Sequence, residues 1–342
     1  MAGQQFIEAL DGHPWFNIVS IHGSTKSIGK TYGETRKGIS SHLTSPHILD
    51  MPITDIYDAD INNIDIIFSA VPSTIANKME AELAIQKPVI STASAYRYEP
   101  DIPIFLPFVN GIHYKLFDKQ KADRGWKGFI CPGPNCSTVG LAIATFPIFK
   151  KFGIKSIHVT TLQAISGSGY PGTPSYDILG NVIPYIPDEE EKIIKELKKI
   201  FGIIEEGKIT APDIMMDAKC NRVPVINGHM ESVFIQTVKQ TTVEEIQEIL
   251  TNFKGETEGL NLPNAPEYPI RVFNDSEPYR PQPRVELNRC NDHSGMITYV
   301  GGISKTNFPN GFKFTVLSHN TELGAGRGGV LSAEYLVAKK YI

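Results

Sequence analysis

The chain has 342 residues, of which 41% are hydrophobic and 20% are charged, so it is long enough for two globular domains. A net charge of −4 gives no reason to expect a nucleic acid or an anionic membrane as a partner. No apolar run approaches the roughly 20 residues of a membrane span and the N-terminus lacks a signal-peptide pattern, so we expect a cytoplasmic protein.

The first third of the chain alternates short apolar strands with helices. Strands are predicted at residues 16–22, 64–71 and 88–91, and helices at residues 4–11 and 74–86. This βαβ order is typical of a Rossmann-like, doubly wound parallel sheet in an α/β protein.

The second half of the chain changes to longer alternating strands and amphipathic helices. One helix opens at Asp188, the expected N-cap, and another opens at Thr241. The strands are predicted at 155–163, 231–238, 268–273, 297–300 and 311–317. This pattern predicts an α+β domain with a mixed sheet.

Four cysteines occur, and one of them has the setting of a nucleophile. Cys131, Cys136, Cys220 and Cys290 are not spaced as zinc knuckles, and without secretion disulfides are not expected, so we predict free thiols and no metal site. Cys136 lies where a β-rich stretch, two prolines and a glycine give way to an apolar helix. Unpaired N–H groups and the helix dipole there favour a thiolate, which acyl and aldehyde chemistry requires. The alternative is a buried structural cysteine.

Several polar residues could serve such a cysteine. His229 has the side chain suited to acid/base work near neutral pH, and Arg222 could clamp a carboxylate. Arg97 follows a buried strand, where α/β sheets place their ligand-binding turns. Glu189 and Lys192 share one face of a predicted helix. Taken singly, each of these residues could equally be an ordinary surface or core side chain.

Three loops could approach a dinucleotide. Residues 166–172 and 324–329 are rich in glycine, which allows a close backbone approach but is weak support alone. The turn at residues 22–27 carries hydroxyls and a lysine and has no acidic residue. This composition favours a 2′-phosphate over a free 2′-hydroxyl, hence NADP over NAD.

Together these motifs resemble aspartate-semialdehyde dehydrogenases of the archaeal and fungal type over essentially the whole chain. Residues 134–138 resemble that family's nucleophile loop, and residues 163–169 its nicotinamide-side loop. Residues 222–229 resemble its arginine-and-histidine segment, and residues 318–321 with the following glycines its C-terminal cofactor loop.

The resemblance implies domains and roles. Residues 1–134 and 322–342 would form the NADP-binding Rossmann-like domain, and residues 135–321 the catalytic and dimerisation domain. The catalytic residues implied are Cys136 as nucleophile, His229 as acid/base and Gln163 as the group that orients the acyl intermediate. The substrate-binding residues implied are Arg97 and Lys192 for phosphate, Arg222 for the α-carboxylate, Glu189 for the amino group, and Asn135 beside the nucleophile. The cofactor-binding residues implied are Gly3, Ser24, Thr25, Lys26, Ser69, Ser166, Gly167, Asn320 and Gly324.

The reaction implied is reductive dephosphorylation of L-aspartyl-4-phosphate to L-aspartate 4-semialdehyde, in the biosynthesis of lysine, threonine, methionine and isoleucine. Cys136 would displace phosphate to form a thioester, and NADPH would then deliver a hydride. The small-molecule substrate would be bound by a homodimer or homotetramer.

The N-terminus departs from this pattern. The family opens with a strand and G-x-x-G-x-x-G, whereas this sequence begins inside that motif and retains only Gly3. We therefore expect the first strand of the family to be missing, and we favour a truncated reading frame over a native loss as the cause. We also expect NADPH to bind weakly. Two alternatives stay open, a malonyl-CoA reductase of the same fold and a catalytically impaired partner in an oligomer.

Overall fold

The structure, a computed structural model, describes residues 2–37, 44–287 and 293–342. The helices of these residues are α1 (Ala2–Leu10), α2 (Tyr32–Thr35), α3 (Pro46–Leu49), α4 (Ser73–Ala84), α5 (Pro107–Asn110), α6 (Leu116–Arg124), α7 (Cys136–Phe152), α8 (Ser175–Ile178), α9 (Glu189–Ile200), α10 (Val243–Thr251), α11 (Pro283–Glu286) and α12 (Gly326–Ala338). The strands are β1 (Ile21–His22), β2 (Ile53–Thr54), β3 (Ile67–Ser69), β4 (Val89–Ser91), β5 (Ile130–Pro132), β6 (Ile154–Gln163), β7 (Ile203–Glu205), β8 (Lys208–Thr210), β9 (Met215–Arg222), β10 (His229–Thr237), β11 (Ile270–Val272), β12 (Thr298–Lys305) and β13 (Gly311–Ser318).

The N-terminal part contains the predicted parallel sheet. Strands β3, β4 and β5 pair in that order, all parallel, and β1 and β2 form a separate parallel pair. Helix α12, from the far end of the chain, packs on α1 and on β4. Phe6 and Leu10 of α1 and Val330 of α12 form a small buried cluster there. The boundaries proposed for the two domains stay a prediction.

The C-terminal part contains the predicted mixed sheet, with six strands in the order β11-β12-β13-β10-β6-β9. The central pairs are antiparallel, and the two edge pairs are parallel. Along β6 and β10 buried residues alternate with more exposed ones, because helices α7, α9 and α10 pack on the sheet. Helix α7 is apolar and buried along most of its length, so it joins the main core.

The structure corrects several predicted elements. The strand predicted at 16–22 shortens to β1, because Phe16 and Ile18 pack against the α1 cluster outside any strand. Asp188 occupies the N-cap position of α9, but its side chain makes no capping hydrogen bond. By contrast, Thr242 and Glu245 form a complete capping box on α10. Strand β9 lies at the sheet edge, in a stretch where no strand was predicted.

The cysteines of the described residues are free, as predicted. Cys131 and Cys220 are buried, and Cys136 is partly exposed. Cys290 lies outside the described residues.

Candidate active site

Cys136 is the first residue of helix α7. Strand β5 leads into a short loop, and Asn135 caps the helix by accepting a hydrogen bond from Ser137 N–H at 2.8 Å on its side-chain oxygen. The helix therefore begins one residue earlier than the sequence pattern predicted, and it holds the cysteine in its first turn.

His229 lies directly against this cysteine. Its Nε2 is 3.3 Å from Cys136 Sγ, and its Nδ1 accepts the backbone N–H of Ala164 at 3.1 Å. Because a backbone N–H can only donate, Nδ1 must carry a lone pair, and the proton of the neutral ring is then on Nε2. The predicted thiol–histidine pair is thus present, with the ring tautomer set by the loop that follows β6.

The surroundings shift the pKa of each member of the pair toward its neutral form. Burial raises the pKa of the Cys136 thiol to about 12, and Glu189 adds to the rise, while Arg97 and Arg222 act in the opposite direction. Burial also lowers the pKa of His229 to about 3, helped by the positive charge of Arg222 and by His319. Burial therefore acts against the helix dipole, which the sequence analysis expected to favour a thiolate.

The loop after β6 brings the other predicted groups to the histidine. Arg222 Nη1 donates to the Ala164 carbonyl at 2.9 Å and lies 3.5 Å from Gln163 Oε1. Gly167 lies so close that a Cβ on it would be 2.8 Å from Arg222 Nη1 and 3.1 Å from His229 Cε1. Arg222 and Gln163 are both buried, so the structure brings these four predicted residues into one cluster.

Helix α9 closes the opposite side of the nucleophile. Glu189 is buried and accepts hydrogen bonds from Asn135 Nδ2 at 3.0 Å and from Ser137 Oγ at 2.9 Å. The side chain of Lys192, one turn further on, is 30% exposed and lies 4.0 Å from Asp188. Lys192 is therefore partly open to solvent, on the same helix as Glu189.

Arg97 reaches the same place from the loop after β4. It is buried, and its Nε donates to the Gly133 carbonyl at 2.8 Å and its Nη2 to the Thr92 carbonyl at 2.8 Å. Its Nη1 forms an ion pair at 2.9 Å with Glu196, a residue that the sequence analysis did not select. Glu196 follows Glu189 by seven residues, so two helical turns place both on one face, and that spacing could have identified it.

The predicted cofactor residues divide into two groups. Ser166 and Asn320 lie near the histidine: Asn320 Nδ2 donates to Ser166 Oγ at 2.8 Å, and Asn320 Oδ1 accepts Gly228 N–H at 2.8 Å. Gly324 approaches the nucleophile so closely that a Cβ on it would lie 2.8 Å from Cys136 Cβ. Its lack of a side chain is required at this place.

The second group lies in the N-terminal part. Ser24, Thr25 and Lys26 are exposed on the turn after β1. Ser69, at the end of β3, is buried, and its hydroxyl donates to Glu80 at 2.6 Å, so its side chain is engaged inside the protein. Gly3 lies in α1, where an added Cβ would be 3.9 Å from Ala70 Cβ, just beyond β3.

Comparison with known proteins identifies this arrangement. Residues 1–117 match the family model described as the NAD-binding domain of semialdehyde dehydrogenase, and residues 146–322 match the model of its dimerisation domain. An aspartate-semialdehyde dehydrogenase of Archaeoglobus fulgidus is 40% identical, over 100% of this chain and 96% of its own. The chain belongs to the aspartate-semialdehyde dehydrogenase family. The family, fold class and enzyme class predicted from the sequence are thereby confirmed.

Two further proteins are similar to this chain. The crystal structure of aspartate-semialdehyde dehydrogenase with NADP from Candida albicans superimposes with a TM-score of 0.88 at 34% identity, and the match covers 100% of this chain and 97% of that one. A malonyl-CoA reductase (NADP) of Metallosphaera sedula is 33% identical over 100% of this chain and 95% of its own. In the part of the chain that the structure describes, every helix is too short or too polar to cross a bilayer.

Proposed function

We propose that this member of the aspartate-semialdehyde dehydrogenase family reduces L-aspartyl-4-phosphate to L-aspartate 4-semialdehyde with NADPH. The observation that carries the proposal is the 3.3 Å contact between Cys136 Sγ and His229 Nε2, surrounded by cationic groups. Cys136 attacks the acyl carbon, a C–S bond forms, and phosphate leaves with the electrons of the broken C–O bond and takes up the proton of the thiol. The product belongs to the biosynthesis of lysine, threonine, methionine and isoleucine, and the cytoplasm stays the predicted compartment.

His229 acts first as a hydrogen-bond donor. With Nδ1 occupied by Ala164 N–H, the Nε2–H group points toward the sulfur and stabilises the thiolate as it forms. The same group can then protonate the oxygen of the tetrahedral intermediate on Cys136. The amide of Gln163 orients that intermediate from the other side of the loop.

Two side chains suit the amino-acid part of the substrate. Arg222 uses Nη1 for the loop, and its other N–H groups suit a planar, two-point contact with an α-carboxylate. Each oxygen of Glu189 already accepts one hydrogen bond, which leaves acceptor capacity for a substrate ammonium. Asn135 holds Glu189 in that orientation.

The leaving group decides between the family's two substrate types. Lys192 and the two remaining N–H groups of Arg97 offer concentrated positive charge for a phosphate dianion. A CoA thioester has no such anion at its acyl carbon, so this charge favours aspartyl phosphate over malonyl-CoA.

The residues near the nucleophile also fit NADP. Gly324 lets the C-terminal loop pass directly beside Cys136, because a Cβ on Gly324 would lie 2.8 Å from Cys136 Cβ. Ser24, Thr25 and Lys26 offer hydroxyls and an ammonium for a 2′-phosphate. When bound, NADPH supplies a hydride to the thioester carbon.

A homodimer through the open face of the six-stranded sheet fits the match to a dimerisation domain. Apolar side chains remain exposed on neighbouring strands there, namely Leu162 on β6, Met215 on β9 and Phe234 on β10. Single exposed apolar residues are common, but three on the same face of one sheet suit an isologous contact. A homotetramer built from two such dimers is the alternative.

The test is NADP reduction by aspartate semialdehyde, with and without phosphate, in the wild type, in Cys136→Ala and in the matched control Cys220→Ala. We expect phosphate-dependent turnover that Cys136→Ala abolishes and Cys220→Ala retains. Phosphate-independent oxidation of malonate semialdehyde that requires CoA would instead identify a malonyl-CoA reductase. Absence of both activities would contradict the proposal and favour a catalytically impaired oligomer partner.

A further inference from the structure

Helix α9 presents four charged side chains along one face. They are spaced by three, four and three residues, which keeps them on one side of an α-helix over almost three turns. They are Glu189, Lys192, Glu196 and Lys199. The proposed function uses the first two, and the second two also face the site.

Glu196 joins two parts of the site that come from different elements. Its Oε1 accepts a charge-assisted hydrogen bond from Arg97 Nη1 at 2.9 Å, and its Oε2 accepts Asn135 N–H at 2.6 Å. The side chain is fully buried, so the contacts compete little with water. One carboxylate thus ties the arginine proposed to bind phosphate to the residue before Cys136.

Arg97 also contacts the nucleophile loop directly. Its Nε donates to the Gly133 carbonyl, so Arg97 and Glu196 grip the nucleophile loop at two backbone points, Gly133 C=O and Asn135 N–H. Two of the five N–H groups of the guanidinium remain for a ligand. The Arg97–Glu196 ion pair, and not Arg97 by itself, would then set the distance between a bound phosphate and Cys136 Sγ.

Lys199 holds the other end of the Arg97 segment. Its Nζ donates to the Arg97 carbonyl at 2.7 Å and to the Glu99 carbonyl at 2.6 Å. These contacts fix the backbone that carries the guanidinium, without touching the nucleophile loop.

We propose that Glu196 and Lys199 are positioning residues that hold Arg97 and the nucleophile loop at the separation needed for displacement of phosphate by Cys136. The inference rests on the proposed function in taking phosphate as the leaving group. Glu196 fixes the positions of both the nucleophile loop and the Arg97 guanidinium, whereas Lys199 fixes only the backbone of Arg97. The two residues therefore have separable signatures.

Glu196→Gln is the first test, because it keeps size and removes one acceptor. An amide has one oxygen, so it cannot accept from both Arg97 and Asn135, and its NH2 group must face one of the two donors. In the direction that consumes phosphate, we expect the KM for phosphate to rise about 10-fold or more and kcat to fall, with the KM for NADP unchanged. Glu191→Gln, an exposed position on the same helix, is the matched control.

The second readout does not need turnover. The rate of Cys136 alkylation by iodoacetamide in the full-length enzyme reports the setting of the thiol, and we expect Glu196→Gln to change it several-fold. A Glu196→Gln enzyme with wild-type alkylation and wild-type KM for phosphate would overturn the proposal. If the wild type itself needs no phosphate, the proposed function fails, and the alkylation rate still decides whether Glu196 sets the thiol.

Lys199→Met separates the two roles and provides a second route should Glu196→Gln fold poorly. We expect a raised KM for phosphate with an unchanged alkylation rate, and recovery of much of the affinity in Lys199→Arg, which restores the positive donor. An equal loss in every kinetic constant, in both Lys199→Met and Lys199→Arg, would mark a purely structural role and overturn the assignment.

Discussion

The surroundings of Cys136 and the turn at residues 24–26 are built in opposite ways. Around the cysteine, a 17-residue helix and strands of 10 and 9 residues hold buried side chains whose polar atoms bind one another. The turn follows a two-residue strand, and its side chains are exposed. The side chains around Cys136 are therefore positioned before substrate binds, whereas the side chains proposed to contact the nucleotide have no fixed partners on the described part of the surface. Substitutions should accordingly act on kcat in the first region and on the cofactor KM in the second.

His229 is expected to give the largest effect. His229→Ala removes the Nε2–H donor and should lower kcat about 10³-fold. His229→Gln can place an amide N–H near the same point, so it should retain about 10-fold more activity than the alanine variant. Steady-state kinetics of the two variants measures this difference.

The KM for NADP serves as the control for His229, because the imidazole ring lies among the buried side chains around Cys136 and not at the turn of residues 24–26. A change in the KM for NADP as large as the change in kcat would contradict the contrast between the two regions. Equal activity of His229→Gln and His229→Ala would show that the donor role is wrong.

The site shows what a linear sequence can and cannot reveal. Cys136 and His229 stand in short motifs, so residue type and local pattern identified them. The spacing of Glu196 from Glu189 could have identified its helix face, but its contact with Arg97 could not be predicted, because Arg97 is 99 positions away in the chain. The rise in the pKa of the thiol was not predicted either, since burial of a group at a helix N-terminus depends on what packs over it.

Gly167→Ala should give the next largest effect. The added methyl would meet Arg222 Nη1 at 2.8 Å and the His229 ring at 3.1 Å, so both side chains must shift. We expect kcat to fall about 10- to 100-fold with little loss of thermal stability, because small misplacements of catalytic groups cost rate. Ala164→Gly is the control, because it keeps the backbone N–H that donates to His229 Nδ1. Gly180→Ala would not serve, because φ at Gly180 is +69° and a side chain there would strain the backbone.

Lys26→Ala tests the exposed region. Loss of the ammonium should raise the KM for NADP about 10-fold and leave the KM for NAD and the kcat with NADP nearly unchanged. Lys30→Ala, four residues along the same exposed segment, is the matched control. A fall in kcat with no change in the KM for NADP would refute the placement of the 2′-phosphate at this turn.

The fold was predictable where strands are long. The alternation along β6 and β10 identified these two strands, because each has one face against helices and one open face. β13 was predicted as well, although most of its residues are buried. β9 escaped because its sequence, Met-Met-Asp-Ala-Lys-Cys-Asn-Arg, has no β-branched residue. Its strand conformation depends on parallel pairing with β6, which is a tertiary contact.

Glu231 provides the test with the smallest expected effect, and it concerns the buried side chains around Cys136. It lies on β10 two residues after His229, is 1% exposed, and neither carboxyl oxygen has a hydrogen-bond partner among the described residues. Burial raises its pKa well above the usual value, so the folded protein keeps a proton that the unfolded chain releases above about pH 4.5. The stability that this carboxyl contributes is complete below that pH and is lost as the pH rises, by at most about 1.4 kcal/mol per pH unit.

Glu231→Gln removes this titration without changing the shape of the side chain. We expect the variant to lose less stability than the wild type between pH 6 and pH 8, as measured by urea denaturation, and Glu205→Gln, on an exposed strand end, to keep the wild-type slope. Parallel pH profiles for Glu231→Gln and the wild type would mean that the carboxyl is ionised in the fold. A difference in slope would instead show that the Glu231 carboxyl stays protonated in the fold, two residues along the strand from the histidine that contacts Cys136.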